Sequence, residues 1–170
     1  MNNKKKNKYI IIGESGSGKS YKALNMAIKN TGTTIICNGF CTPSDYSNDF
    51  STLKKFIKKD GRYSYTIEKN AKYFIKSFGG PITIGQSAQF VLNLIRGCDY
   101  GCIGNDESSM AVFDNGSWNY ITNRVSALWE LSHMDCKIII ACQCIEDLSN
   151  MTLTEFMKSD ISQYWNIIYL

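Results

Sequence analysis

Eight consecutive residues, Gly13-Glu14-Ser15-Gly16-Ser17-Gly18-Lys19-Ser20, constrain what this chain can fold into more than any other feature. They fill every fixed position of the pattern G-x-x-x-x-G-K-[ST]. Their flanks agree: the apolar run 9–12 reads as a strand leading in, and 19–30 as a helix leading out. Glycines at such a turn let successive backbone amides point inward at phosphate oxygens, and the start of the following helix adds the positive end of its dipole. In that geometry Lys19 neutralises the β- and γ-phosphates of a nucleotide such as ATP. Ser20 offers its hydroxyl to Mg²⁺, a hard cation that prefers octahedral oxygen ligands. Tyr21 follows directly and completes the candidate cofactor-binding stretch.

The remaining chain alternates short β-branched runs with amphipathic stretches, the pattern that lays a mainly parallel sheet between helices. Strands are expected at 9–12, 33–37, 100–105, 137–142 and 165–169, with a weaker candidate at 82–84. Helices are expected at 19–30, 53–59, 66–77, 87–96 and 118–132. The interval 38–98 exceeds what one crossover needs, so an inserted helical element is expected there. Gly79-Gly80-Pro81 marks a turn, not a linker. Residues 9–170 therefore form one domain behind a basic, disordered tail at 1–8; a chain of 170 residues that is 44% apolar can bury one sizeable core.

Carboxylates that serve a nucleotide belong at the carboxyl edge of a parallel sheet, where ligands bind. Asp106-Glu107 directly follows the run 100–105, so Asp106 is expected to hold Mg²⁺ and Glu107 to polarise the water that attacks the γ-phosphate. Gln143 ends the run 137–142 and reaches the same edge, either as a sensor of the γ-phosphate or as a cap on the strand. Only Arg62, Arg96 and Arg124 are available as an arginine that enters a neighbour's site, and Arg124 is the choice, against an ordinary surface role. His133 is the lone histidine, so it shares no metal with a second one and is left without a role. Trp118, Trp129 and Trp165 read as core.

No apolar stretch approaches the roughly 20 residues that cross a bilayer, and the amino-terminal residues lack the apolar segment of a secretory signal. A cytoplasmic protein is expected. Seven cysteines then read as small buried hydrophobes; the pairs Cys37/Cys41 and Cys98/Cys102 are spaced more widely than the usual zinc knuckle. Charge is asymmetric. Residues 1–97 carry 16 basic and 5 acidic side chains, and residues 98–170 carry 3 and 10. A basic half of this kind suits an acidic partner such as nucleic acid, or is a solvated face.

Together these stretches resemble the HerA/FtsK superfamily of P-loop ATPases, and within it viral packaging ATPases and Zot-like phage morphogenesis proteins. The resemblance rests on 10–20 with Tyr21, on the run 33–39 ending IICNGF, on Asp106-Glu107, and on Ser132-His133-Met134-Asp135 leading through 137–142 to Gln143. It implies a three-layer α/β P-loop NTPase fold of the ASCE, RecA-like type, with the fourth strand inserted between the first and third. It further implies Mg²⁺-dependent ATP hydrolysis and a homo-oligomeric ring, commonly a hexamer, that moves double- or single-stranded DNA. Viral capsid or assembly proteins are its expected further partners, in host cytoplasm or virion. Where many relatives carry arginine before the histidine this chain has Ser132, which removes an inter-subunit arginine from that position. A small-molecule kinase would need an arginine-rich lid; a nucleotide-dependent assembly switch would keep Lys19 without using Glu107.

Overall fold

The computed structural model describes residues 7–30, 32, 34–38, 57–60, 64–67, 73–77, 107–114, 118 and 121–170. In chain order the elements are β1 (Lys8–Ile12), α1 (Lys19–Ile28), β2 (Thr34–Asn38), β3 (Ile57–Asp60), β4 (Ser64–Ile67), β5 (Tyr73–Ser77), β6 (Met110–Asp114), α2 (Arg124–Ser132), β7 (Lys137–Cys142), α3 (Glu146–Ser149), α4 (Leu153–Lys158), a 3₁₀ turn (Asp160–Tyr164) and β8 (Asn166–Tyr169).

The fold is α/β. Four strands, β6-β7-β1-β8, form a parallel sheet that continues from β6 through β2 to β5, with β8 at the opposite edge. The strand of 137–142 lies between β1 and β6, pairing parallel with both. A parallel sheet covered on both faces needs apolar residues at odd and even positions alike. The runs KYIII, MAVFD and KIIIAC supply them. Ile11, Met110, Val112 and Ile139 face α1 and pack on its Ala23, Leu24 and Ala27. Ile10, Ala111, Phe113, Ile138, Ile140 and Cys142 face the other way, against α2 and the carboxyl-terminal segments. Each fully buried isoleucine in these runs contributes about 2 kcal/mol of transfer free energy.

Polar groups caught between these layers are paired. Trp165 donates its Nε1–H to Ser132 Oγ at 2.7 Å, and that hydroxyl donates to Leu128 O at 2.7 Å. Trp118 Nε1 donates to Leu148 O at 3.3 Å. Both rings are core, as expected; Trp129 is not, being 48% exposed. α4 starts on a capping box in which Thr152 and Glu155 satisfy each other's backbone amides.

Several expectations change. Segments 53–59 and 66–77 are not helices where the structure describes them: β3 and β4 pair antiparallel, and β5 joins the main sheet beside β2. Tyr65-Thr66-Ile67 and Tyr73-Phe74-Ile75 are β-branched and aromatic, types that suit a pleated surface better than a helix. β6 at Met110–Asp114 is a strand that was not expected; the expected strand 100–105 lies outside the described residues, as do 82–84 and 87–96. α2 begins at Arg124, six residues later than expected. At the amino terminus, residues 1–6 lie outside the described set, whereas Lys8 is strand. Lys8 is 4% exposed and donates to Met134 O, and burial lowers its pKa.

Candidate functional site

β1 ends at Ile12, and residues 13–20 turn from its carboxyl end into α1. Gly13 N donates to Cys142 O at 3.3 Å, which fastens the start of the turn to the end of β7. Gly16 and Gly18 adopt φ of 79° and 94°, left-handed conformations that L side chains resist. Gly13 is required for space: a Cβ there would lie 2.4 Å from Ser17 Oγ and 3.1 Å from Leu170 O. α1 therefore opens on Gly18, which has no side chain to cap the first-turn amides. Lys19 folds back over the turn, and its Nζ donates to Gly13 O at 2.6 Å and Glu14 O at 2.7 Å.

Ser20 Oγ donates to Asp114 Oδ1 at 2.9 Å. Asp114 ends β6 at 0% exposure, two strands from β1, so the bond draws the start of α1 across β7 to the carboxylate. A hydroxyl and a carboxylate at this separation are the hard oxygen donors that Mg²⁺ takes, with water and phosphate completing an octahedron. Ser17 Oγ is a buried hydroxyl with no hydrogen-bond partner in the structure. A buried unmet hydroxyl costs about 1–3 kcal/mol, and a ligand that supplied an acceptor within the turn would remove that cost. The donor set and the cradle thus both fit a nucleotide phosphate with its metal.

Of the expected acidic pair, Glu107 is not at this edge. Glu107 is exposed in the turn before β6, at the amino end of the strand. Lys137 N, the first residue of β7, donates to Ser109 O at 2.8 Å, which marks the same end. The five residues of β6 put roughly 16 Å between that end and Asp114. Asp106 lies outside the described residues. Among the described residues, the carboxylate placed beside Ser20 is Asp114. The signal was the apolar run Met110-Ala111-Val112-Phe113 ending in an acid; Gly101 and Gly104 weaken the competing run as a strand.

Gln143 directly follows β7 and is exposed beside the turn, because the preceding carbonyl is the one that holds Gly13. Arg124 is engaged within its own chain: Nη1 donates to Asp147 O and Nη2 to Asn150 Oδ1 at 3.4 Å, tying α2 to α3. Ser132, which stands where the resemblance would put an arginine, is 2% exposed in the core. His133 lies between Trp129 and Tyr164, with ring centroids at 4.6 and 4.7 Å, and takes no part in the site. Glu14, Ser15, Gly16 and Tyr21 are exposed along the turn and first helical residues.

Thiol chemistry is disfavoured here. Burial, then nearby Asp147, pushes the Cys142 thiol up to about 12, and burial also raises Cys144. Cys136, Cys142 and Cys144 form no disulfide, and among the described residues no three His, Cys, Asp or Glu side chains gather as a metal cluster. Nor is any helix among the described residues long and apolar enough to cross a membrane. A separate groove of 380 Å³, lined by Val125, Trp129, Met151 and Ile161, contains none of the turn residues. No protein-family model, curated protein or solved structure matches the chain.

Proposed function

We propose that this chain is a P-loop NTPase, of three-layer α/β architecture, that binds an ATP-like nucleotide with Mg²⁺ on residues 13–20. The observation that carries the reading is the Ser20–Asp114 hydrogen bond at 2.9 Å at the start of the helix that follows the glycine-rich turn. Lys19 exchanges its two carbonyl partners for phosphate oxygens, and the first-turn amides of α1 hold the same group. Ser20 and Asp114 hold Mg²⁺, which neutralises and orients the phosphate oxygens when bound. Gln143 hydrogen-bonds the γ-phosphate and a water beside it through its amide.

The fuller form of the proposal is an ATP-hydrolysing motor that moves DNA, as a homo-oligomeric ring of the viral packaging or phage-assembly kind. Its support is the Gly13–Ser20 turn, Gln143 at the sheet edge and the basic balance of residues 1–97. A nucleotide-dependent assembly switch is the second reading, favoured by a specific feature. Glu107 lies at the far end of β6, and the residue after Asp114 is Asn115, which can hydrogen-bond water but cannot take its proton.

Calorimetric titration with Mg-ATP tests binding. Lys19→Ala is expected to abolish it, and Asp114→Ala to remove the Mg²⁺ dependence of what remains; normal binding by Lys19→Ala refutes the phosphate site. Steady-state ATP hydrolysis with and without double-stranded DNA, at two salt concentrations, then separates the two forms. DNA stimulation that fades with salt, from a ring-sized species, supports the motor; tight binding without turnover supports the switch.

A further inference from the structure

The site has a direction. Asp114 ends β6 and Gln143 follows β7, so both polar groups stand on one side of β1. A triphosphate whose metal-bound end meets Ser20 and Asp114 on that side would direct its opposite end toward the other neighbour of β1, which is β8. There the surface changes character. Tyr169 is 58% exposed and Leu170 is 49% exposed. Tyr169 pairs in register with Ile12, the last residue before the turn. Leu170 N donates to Ile12 O at 2.9 Å, so the pairing runs to the base of the turn. Leu170 O sits 3.1 Å from the position of a Cβ on Gly13, which places the end of β8 in contact with the first glycine.

We propose that Tyr169 is the platform on which the base of the bound nucleotide stacks, which makes the ligand a purine nucleoside triphosphate. An exposed ring at this place offers a π-face to any base, and stacking grows with the area of the base, so purines are favoured over pyrimidines. Stacking does not read the exocyclic groups, so adenine and guanine are weakly distinguished by this residue alone. The inference rests on the phosphate-site reading above and adds a second, separable contact to it.

Competition binding on the intact chain tests the two contacts apart, with Mg-ATP, Mg-CTP and inorganic Mg-tripolyphosphate as probes. The wild type is expected to hold ATP more tightly than CTP and both more tightly than tripolyphosphate. Tyr169→Ala should weaken ATP roughly tenfold and leave tripolyphosphate unchanged, whereas Tyr169→Phe should bind ATP as the wild type does. Unchanged ATP affinity in Tyr169→Ala overturns the inference, as does an equal loss for ATP and tripolyphosphate, which would mean a damaged turn. If the wild type binds none of the three probes, the phosphate-site reading falls and takes this one with it. If it binds ATP and tripolyphosphate equally, the base site alone falls.

Discussion

Gly13 and Ser17 show how far one atom matters in the turn. Gly13→Ala would drive a methyl to 2.4 Å from Ser17 Oγ, with the Leu170 carbonyl close on another side. Overpacking of this kind typically costs about 1–3 kcal/mol, and chemical denaturation should show a loss of that order. Ser17→Ala has the opposite sign in the ligand-free protein, since it removes a buried hydroxyl with no partner. A gain of up to about 1 kcal/mol is expected from the same measurement, together with weaker nucleotide binding if the hydroxyl serves phosphate. A loss of stability in Ser17→Ala would show that the hydroxyl is satisfied in solution. The pattern of glycines, lysine and serine was legible in the letters because the fixed spacing is itself the mechanism. Asp114 was not legible as the partner of Ser20. Two apolar runs, 100–105 and 110–113, each ended near an acid, and local pattern does not say which one the sheet takes in.

At the scale of elements, Asn30 joins four of them at the edge opposite the phosphate turn. Its Nδ2 donates to Thr34 Oγ1 at 2.9 Å and Ser108 O at 3.0 Å, and its Oδ1 accepts from Lys137 Nζ at 2.9 Å. The end of α1, the start of β2, the turn into β6 and the start of β7 are thereby held by one amide that is 6% exposed. Asn30→Ala strands several buried groups at once and should cost about 2–4 kcal/mol. Thermal unfolding would report it, and a shift within error would mean that water replaces the amide without loss. Nothing in the sequence pointed to Asn30. Its neighbours come from positions as distant as 108 and 137, and such convergence exists only after the chain has folded.

Across the whole molecule, burial makes stability depend on alkaline pH. Cys136 is raised from 9.0 to about 11, and Cys142 from 9.0 to about 12, by desolvation first in both cases. Unfolded thiols ionise near the ordinary value while these stay protonated, so the stability they contribute is full below pH 9 and is lost as pH rises through 11 and 12. The slope is about 1.4 kcal/mol per pH unit for each thiol. Lys8 opposes it, because burial lowers its pKa from 10.5 and the unfolded state then binds the extra proton. Two thiols outweigh one ammonium, so denaturation midpoints should fall between pH 9 and 11. Alanine at both cysteines should flatten that fall; an unchanged slope would assign it elsewhere.

Periodicity and spacing by themselves determined the α/β class, the strands at β1, β2, β7 and β8, and the turn from Gly13 to Ser20 with its helix. Each of these depends on residues adjacent in the chain: an apolar run buried on both faces, or glycines that permit a tight turn. Only the tertiary structure decided that β6 begins at Met110, that segments around 57–77 extend into strands, that Asp114 and not Glu107 shares the carboxyl edge with Ser20, and that Arg124 is held by α3. These depend on which distant run wins a place beside β7 and β2. That choice is made by burial of whole faces, a quantity summed over the assembled sheet and absent from any local stretch of sequence.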